Sequence, residues 1–305
     1  MTHATAPGTR RRWRWRVEAG FIGLGHRLLR ALSVDGASAM AGWLARTVGP
    51  LLPASALADA NLRRAMPELD VVARKRIIRG AWDNLGRVVA ELAHLDHLDT
   101  TGADPRITVE GREHVLALAG TDRPGIFVTG HVGNWELTAL GIVQSGVPLT
   151  VVYRAPNNPV AADLLNRMRG PLGGDLVPKG PIATRRIMAI LRKGGNVGLL
   201  VDQKTNNGIP ARFFGMEAMT TPVVAMCALH FGCPVVPVQV VRTGGARFRV
   251  IYHPPLVFAK TGDREADVLA MTEQVNTMLE GWIRERPDQW LWFHRRWPKP
   301  GAGER

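Results

Sequence analysis

Gly125-Ile126-Phe127-Val128-Thr129-Gly130-His131-Val132-Gly133-Asn134-Trp135-Glu136-Leu137 reads as a strand, a turn and the start of a helix. The first five residues are apolar and β-prone, and after the turn Trp135, Leu137, Leu140 and Val143 recur at helical spacing. His131 therefore stands where a strand ends and a helix begins. Five residues along one continuous helix turn through about 500°, which would send His131 and Glu136 to different faces. With His131 in the turn and Glu136 in the first helical turn, the two side chains can meet. A histidine near its ordinary pKa can take a proton from an alcohol, and a carboxylate on its other ring nitrogen fixes the tautomer and stabilises the imidazolium. His131 and Glu136 are on this reading a catalytic pair. The competing reading makes His131 a helix cap and Glu136 a first-turn acid favoured by the helix dipole.

Moving outward, strands are expected at 125–129, 148–153, 197–201, 234–241 and 247–252, with helices at 134–144, 159–169, 183–193, 222–231 and 264–285. This alternation, regular from Ile107 onward, predicts an α/β fold with a mostly parallel central sheet flanked by helices. In such sheets chemistry collects beyond the carboxyl ends of the strands, and His131, Tyr153-Arg154 and Asp202-Gln203 all fall there. Before the α/β part, 57–95 reads as two helices broken near Pro67, with Ile77, Ile78, Trp82, Leu85, Val88, Val89 and Leu92 as a buried stripe.

The amino terminus has a different character. Arg10-Arg11-Arg12-Trp13-Arg14-Trp15-Arg16 interleaves guanidinium groups with indoles, a composition suited to an anionic interface. Residues 1–16 are expected to be a disordered basic arm. From Val17 to Leu32 the apolar residues alternate with His26, Arg27 and Arg30, too polar for the roughly 20 apolar residues a bilayer span needs. The fold class therefore includes a helical N-terminal membrane-associating extension, 17–100, lying at the interface, ahead of a catalytic domain at 101–300.

The 305 residues carry 39 Lys and Arg against 26 Asp and Glu, a formal net charge of +13, which predicts acidic partners. Nucleic acid is disfavoured, since there is no RNA-binding aromatic signature, zinc finger or helix-turn-helix. A membrane surface and an acidic carrier protein remain. Neither a P-loop nor a Rossmann glycine fingerprint is present, and no spacing of His, Cys and acids suggests a metal, so neither cofactor nor metal is expected. Cys227 and Cys233 sit in an apolar segment and read as inert core thiols.

Arg154 follows an apolar strand and precedes a proline-rich turn, either gripping a phosphate at the sheet's edge or standing exposed. Asp202 follows Val197 to Val201 and either organises Arg154, Lys204 and the next loop or enters the chemistry directly. Asn206-Asn207-Gly208 with Phe213-Phe214-Gly215 suits a lid over an acyl chain, or equally a loop pinned by two core phenylalanines. Near the end, Trp290, Trp292 and Trp297 are read as docking the terminal segment, and Arg295 and Arg296 as lying near an anionic substrate.

Taken in order, Asn61-Leu62 with Met66-Pro67-Glu68, Gly130 to Glu136, Tyr153-Arg154 with Asn158-Pro159, Asp202-Gln203, Phe213-Phe214-Gly215 and Trp290 to Trp297 form a specific set. The chain resembles the bacterial late acyltransferases of lipid A biosynthesis, within the lysophospholipid acyltransferase superfamily marked by His-x4-Asp/Glu. It departs from the family in having Met66 where Phe is frequent, and Ala155 between Arg154 and Pro156. The resemblance implies transfer of a fatty acyl group from an acyl carrier protein thioester to a hydroxyl of a lipid A precursor, at the cytoplasmic face of the inner membrane. It makes His131 and Glu136 the catalytic dyad, with Asn134, Arg154, Asp202, Gln203, Arg295 and Arg296 in substrate binding. The backbone N–H groups of Gly133 and Asn134 are candidates for holding an oxyanion. Two alternatives are acylation of another membrane glycolipid or phospholipid, such as a phosphatidylinositol mannoside, from acyl-CoA, and a non-catalytic protein that binds anionic membranes.

Overall fold

The computed structural model describes residues 9–101, 104–154, 156–179 and 183–298. The chain opens with four helices, α1 (Thr9–Arg30), α2 (Val34–Val48), α3 (Pro53–Ala65) and α4 (Val71–Glu91). Their starts follow from local chemistry. Ser33 Oγ accepts from the Gly36 N–H at 3.1 Å to begin α2, and Asp70 accepts from the Ala73 N–H at 2.7 Å to begin α4. Between α3 and α4 lies Pro67, where the sequence predicts the break.

The rest alternates: β1 (Ile107–Glu110), α5 (Arg112–Leu116), β2 (Gly125–Thr129), α6 (Leu137–Gln144), β3 (Leu149–Tyr153), α7 (Pro159–Met168), β4 (Asp175–Pro178), α8 (Ala183–Arg192) and β5 (Asn196–Leu200). A hairpin of β6 (Ile209–Phe213) and β7 (Met216–Thr220) follows, then α9 (Val223–Phe231), β8 (Val235–Gly244), β9 (Arg247–Tyr252) and α10 (Arg264–Glu285). Seven strands form one sheet in the order β1-β9-β8-β2-β5-β3-β4, with every neighbouring pair parallel except β8 and β9. The expected mostly parallel, helix-flanked sheet is what the chain forms.

At the centre, β2 is buried on both faces, as a parallel strand must be when helices cover the sheet. Ile126 and Val128 face a core shared with α3, α4, α8, α9 and α10, while Phe127 faces the opposite core, formed with α6 and the turn at Leu95 and Leu98. Cys227 and Cys233 lie in the first core, and burial pushes both thiols up to about 11.

Two local expectations change. Residues 1–8 of the arm read as disordered lie outside the described residues, but Thr9–Arg16 are the first turns of α1. Arginine is a good helix former, and Asn158 Nδ2 anchors this helix by donating to the Trp15 carbonyl at 2.9 Å and to Glu18 at 3.0 Å. The pair Phe213-Phe214 is core: Phe213 packs between Trp290 and Trp297, and Phe214 beside Trp292. Phe214 takes φ 52° in the two-residue turn of the hairpin, where its N–H donates to Glu280 at 2.6 Å. That acceptor and the aromatic packing hold a conformation a phenylalanine rarely adopts.

Candidate active site

Parallel pairing of β2 with β5 puts Thr129 opposite Leu200, so the two strands end together and release His131 and Asp202 into one space. Within it Asp202 is fully buried and accepts three hydrogen bonds. One oxygen takes a ring nitrogen of His131, Nδ1, at 2.7 Å. The other takes the His131 backbone N–H at 2.9 Å and the Trp290 indole N–H at 2.7 Å. Burial alone would push the Asp202 carboxyl up, but the facing His131 ring, with His294 and the backbone N–H, overrules it and holds the group well below the ordinary carboxylate range. A carboxylate that stays charged fixes the proton of a neutral His131 on Nδ1 and leaves the lone pair on Nε2.

Around His131 Nε2 stand the Gln203 amide at 3.4 Å and the Trp135 ring, edge-on with centroids 5.1 Å apart. The imidazole keeps partial exposure, with 18% of its side-chain surface open.

Glu136 is elsewhere occupied, and the expected His131–Glu136 dyad is corrected accordingly. Both Glu136 oxygens are taken by Arg169, at 2.9 Å from Nε and 2.6 Å from a terminal nitrogen. The physical reason is the helix start. Instead of at 134, α6 begins at Leu137, so Glu136 lies before the helix and faces the end of α7, where Arg169 is the capping residue. Arg169 also lies over the Tyr153 ring, 5.7 Å from its centroid, so Glu136, Arg169 and Tyr153 form one cluster.

Three further expectations are corrected. The Asn134 side chain is fully buried and donates to Glu91 at 2.8 Å, so it holds the loop instead of a substrate. The Gly133 N–H donates to the Gln289 carbonyl at 3.0 Å, which removes it as an oxyanion donor. Gly133 has φ 59°, and a Cβ there would meet the Val240 carbonyl oxygen at 2.3 Å, so only glycine fits this close approach. Arg296 is fully buried over the Phe213 ring, donating to Thr220 Oγ1 at 2.7 Å and to the Met219 carbonyl at 3.1 Å. Burial draws its pKa down to about 10, and it serves the aromatic core; Arg295 beside it is exposed.

Arg154, exposed at the end of β3, has beside it Lys179 at the end of β4, whose N–H donates to the Tyr153 carbonyl at 2.6 Å. Partial desolvation, with the neighbouring Arg154 charge, lowers the Lys179 ammonium pKa. The two cations make a positive rim next to the Asp202 end of the sheet.

Behind the loop lies a polar network that sequence reasoning missed. Glu91, fully buried, accepts from Ser38 at 2.7 Å, from Asn134 at 2.8 Å and from both terminal nitrogens of Arg242. Asn84 donates to the Gly133 carbonyl at 2.9 Å and accepts from Arg242 Nε at 3.0 Å. These bonds tie α2 and α4 to the loop carrying His131 and to the terminal segment at Gln289. The available signal was periodic: Asn84, Val88 and Glu91 follow the helical spacing of α4's buried face, and a carboxylate there requires a buried cation. Breaking one partner of a buried ion pair strands the other charge, so Glu91→Gln is expected to cost about 3 kcal/mol, read as a fall in the urea unfolding midpoint.

A family model described as bacterial lipid A biosynthesis acyltransferase matches residues 10–299. The lipid A biosynthesis palmitoleoyltransferase of Escherichia coli (strain K12) is 25% identical over 255 residues, 81% of this chain and 80% of that protein. The lipid A biosynthesis myristoyltransferase of the same strain is 22% identical over 236 residues, 76% of this chain and 72% of that protein. Among solved structures, the 1-acyl-sn-glycerophosphate acyltransferase PlsC from Thermotoga maritima superposes loosely, at a TM-score of 0.37 and 15% identity, covering 83% of this chain and 100% of that one. A match that runs from the first basic residues of α1 past the last buried tryptophan takes in every element that builds the site, and with it the chain belongs to the bacterial lipid A biosynthesis acyltransferase family.

Proposed function

We propose that this acyltransferase moves a fatty acyl group from an acyl carrier protein thioester to a hydroxyl of a lipid A precursor, with His131 as general base and Asp202 as its orienting carboxylate. The observation that carries the chemical part is the 2.7 Å contact between His131 Nδ1 and a buried, charged Asp202 oxygen, which leaves the Nε2 lone pair as the basic atom of a partly exposed ring. Nε2 takes the proton of the acceptor hydroxyl as its oxygen attacks the thioester carbonyl. The tetrahedral intermediate then collapses, the C–S bond breaks, and the thiolate leaves with the proton returned by the imidazolium, giving an ester and a free thiol. Asp202 stabilises the imidazolium between the two proton transfers. The Gln203 amide and the Asn134 backbone N–H are the donors left to hold the developing oxyanion. Incubating the purified enzyme with acyl carrier protein thioester and a hydroxylated lipid A precursor, and weighing the product, tests the reading. A product heavier by one acyl group supports it; product with acyl-CoA but none with the carrier thioester overturns the donor.

The carrier's phosphopantetheine and the glycolipid both bear phosphate, and we assign Arg154 to one of them. Its planar fork makes paired hydrogen bonds that an ammonium cannot reproduce. Arg154→Lys is therefore expected to raise the apparent KM for one substrate about tenfold while stability stays within about 0.5 kcal/mol of wild type. Kinetics with donor and acceptor varied separately identify that substrate; unchanged constants for both remove Arg154 from the site.

Among the described residues no helix is long and apolar enough to cross a membrane. On α1, Phe21 is 71% exposed, and Leu24 and Leu28 share its apolar face beside Arg14, Arg16 and Arg27. We assign residues 10–32 to the membrane interface, where each cation contributes about 1 kcal/mol at an anionic surface and is screened by salt. A high-salt wash of membranes is expected to release part of the protein, whereas full retention until detergent is added would indicate a spanning anchor.

A further inference from the structure

On the face formed by α2 and α4, Val72, Lys75, Arg76 and Arg79 follow one another at helical spacing, so they project from a single side of α4. They line one wall of a cleft of about 790 Å³, and Trp43 and Arg46 of α2 line the other. Lys75, Arg76 and Arg79 are exposed and have no carboxylate partner among the described residues. The acids of the cleft are Asp83, already engaged by Arg87 and at 3.4 Å from Arg46, and exposed Asp288, so the balance is positive. Such a cleft suits an anion.

What lies beside it indicates which anion. Met40, Trp43, Leu44, Val48 and Leu51 recur along one side of α2 and its continuation, and all are exposed, Leu51 to 82%. An apolar stripe left exposed by the described residues, running along cations that have no carboxylate partner among them, has the layout of an interfacial membrane element: acyl chains take the stripe and phosphates take the cations. An acidic protein partner would meet the charges but would leave most of a stripe of this length against water.

We infer that the α2–α4 cleft is a second membrane-docking site, separate from α1, that takes the phosphate of an anionic phospholipid headgroup between Arg46 and the Lys75–Arg76–Arg79 face while the α2 stripe enters the bilayer surface. Asn84, Gln289 and Arg242, which hold the His131 loop from behind, also line this cleft, so lipid bound here lies against the rear of the catalytic loop. The site does not depend on the acyl-transfer chemistry.

The test is co-sedimentation of the full chain with vesicles of phosphatidylcholine alone and of phosphatidylcholine with one third phosphatidylglycerol, with α1 unaltered throughout. Lys75→Glu/Arg76→Glu/Arg79→Glu is expected to weaken binding to the phosphatidylglycerol vesicles at least about tenfold, with little change on neutral vesicles. Trp43→Ser/Leu44→Ser is expected to weaken binding to both. These positions are exposed, and an unchanged thermal melting curve confirms that each variant is folded. Wild-type vesicle affinity in both variants overturns the proposal. Retained vesicle binding with loss of binding to labelled acyl carrier protein in solution also overturns it, and makes the cleft a carrier dock. Full competition by millimolar inorganic phosphate on the triple-cation face, without any effect of the Trp43 and Leu44 changes, reduces the site to a soluble-phosphate site and rejects the membrane assignment.

Discussion

Replacing Asp202 by asparagine is expected to cut acyl transfer about 10⁴-fold, the scale on which a base histidine held in the wrong tautomer loses activity. The direction follows from the hydrogen bonds. One Asp202 oxygen accepts from both the His131 backbone N–H and the Trp290 indole N–H, so an asparagine must place its carbonyl oxygen there. Its NH2 group then faces Nδ1, where the carboxylate now accepts. A donor at Nδ1 drives the ring proton to Nε2, and the atom that should take the substrate's proton no longer has a lone pair. The substitution is nearly isosteric and keeps both bonds to the other oxygen, so the protein should remain folded. ¹⁵N spectroscopy of the histidines would show the signature directly, as a switch of the His131 tautomer that a merely structural change would not produce.

His131→Ala is expected to reduce kcat about 10² to 10⁴-fold, since general base catalysis typically contributes that much. The tenfold steps correspond to about 1.4 kcal/mol each, so the loss is roughly 3 to 5.5 kcal/mol of transition-state stabilisation. The KM for either substrate should change little, because the phosphate contact proposed above is made by Arg154 and not by His131. Stability should fall only modestly, although Asp202 is then left facing an empty space with two of its three donors. Near wild-type turnover in the folded variant would remove His131 from the chemistry. Because Asp202 is held below the ordinary carboxylate range, it remains charged across neutral and mildly acidic pH. The stability its bonds contribute is therefore fully present above the pKa of an unfolded aspartate and is lost only as pH falls through the lower folded value.

Much of this was legible in the residues and some was not, for definable reasons. The strand at Gly125–Thr129 and the turn at His131 follow from a local pattern, and the segments that form β3, β5, β8 and β9 have the same kind of pattern, so the centre of the sheet was readable, whereas β1, β4 and the β6–β7 hairpin were not among the expected strands. The partner of His131 was not. Glu136 is five positions away and Asp202 is 71, and choosing between them requires the register that sets Thr129 beside Leu200. Asp202 and Gln203 were visible as residues at a strand's carboxyl end; the contact between Asp202 and His131 is tertiary. Asn134 and Arg296 failed for the opposite reason. Polar residues in a motif invite a functional reading, yet each is a buried group whose partner, Glu91 or the Met219-Thr220 backbone and hydroxyl, comes from a distant element. The start of α6 decided the fate of Glu136, because a three-residue shift in that boundary turns its carboxylate from the His131 side to Arg169.

The central claim is that the carboxylate working through His131 belongs to Asp202 and not to Glu136. Turnover of Asp202→Asn and Glu136→Gln, measured side by side in one acyl-transfer assay on folded protein, tests it most directly. The geometry predicts that Asp202→Asn is slower than Glu136→Gln by at least about tenfold, because only the first inverts the tautomer of the base. An Asp202→Asn enzyme as fast as wild type, or a Glu136→Gln enzyme equally or more impaired, would contradict it.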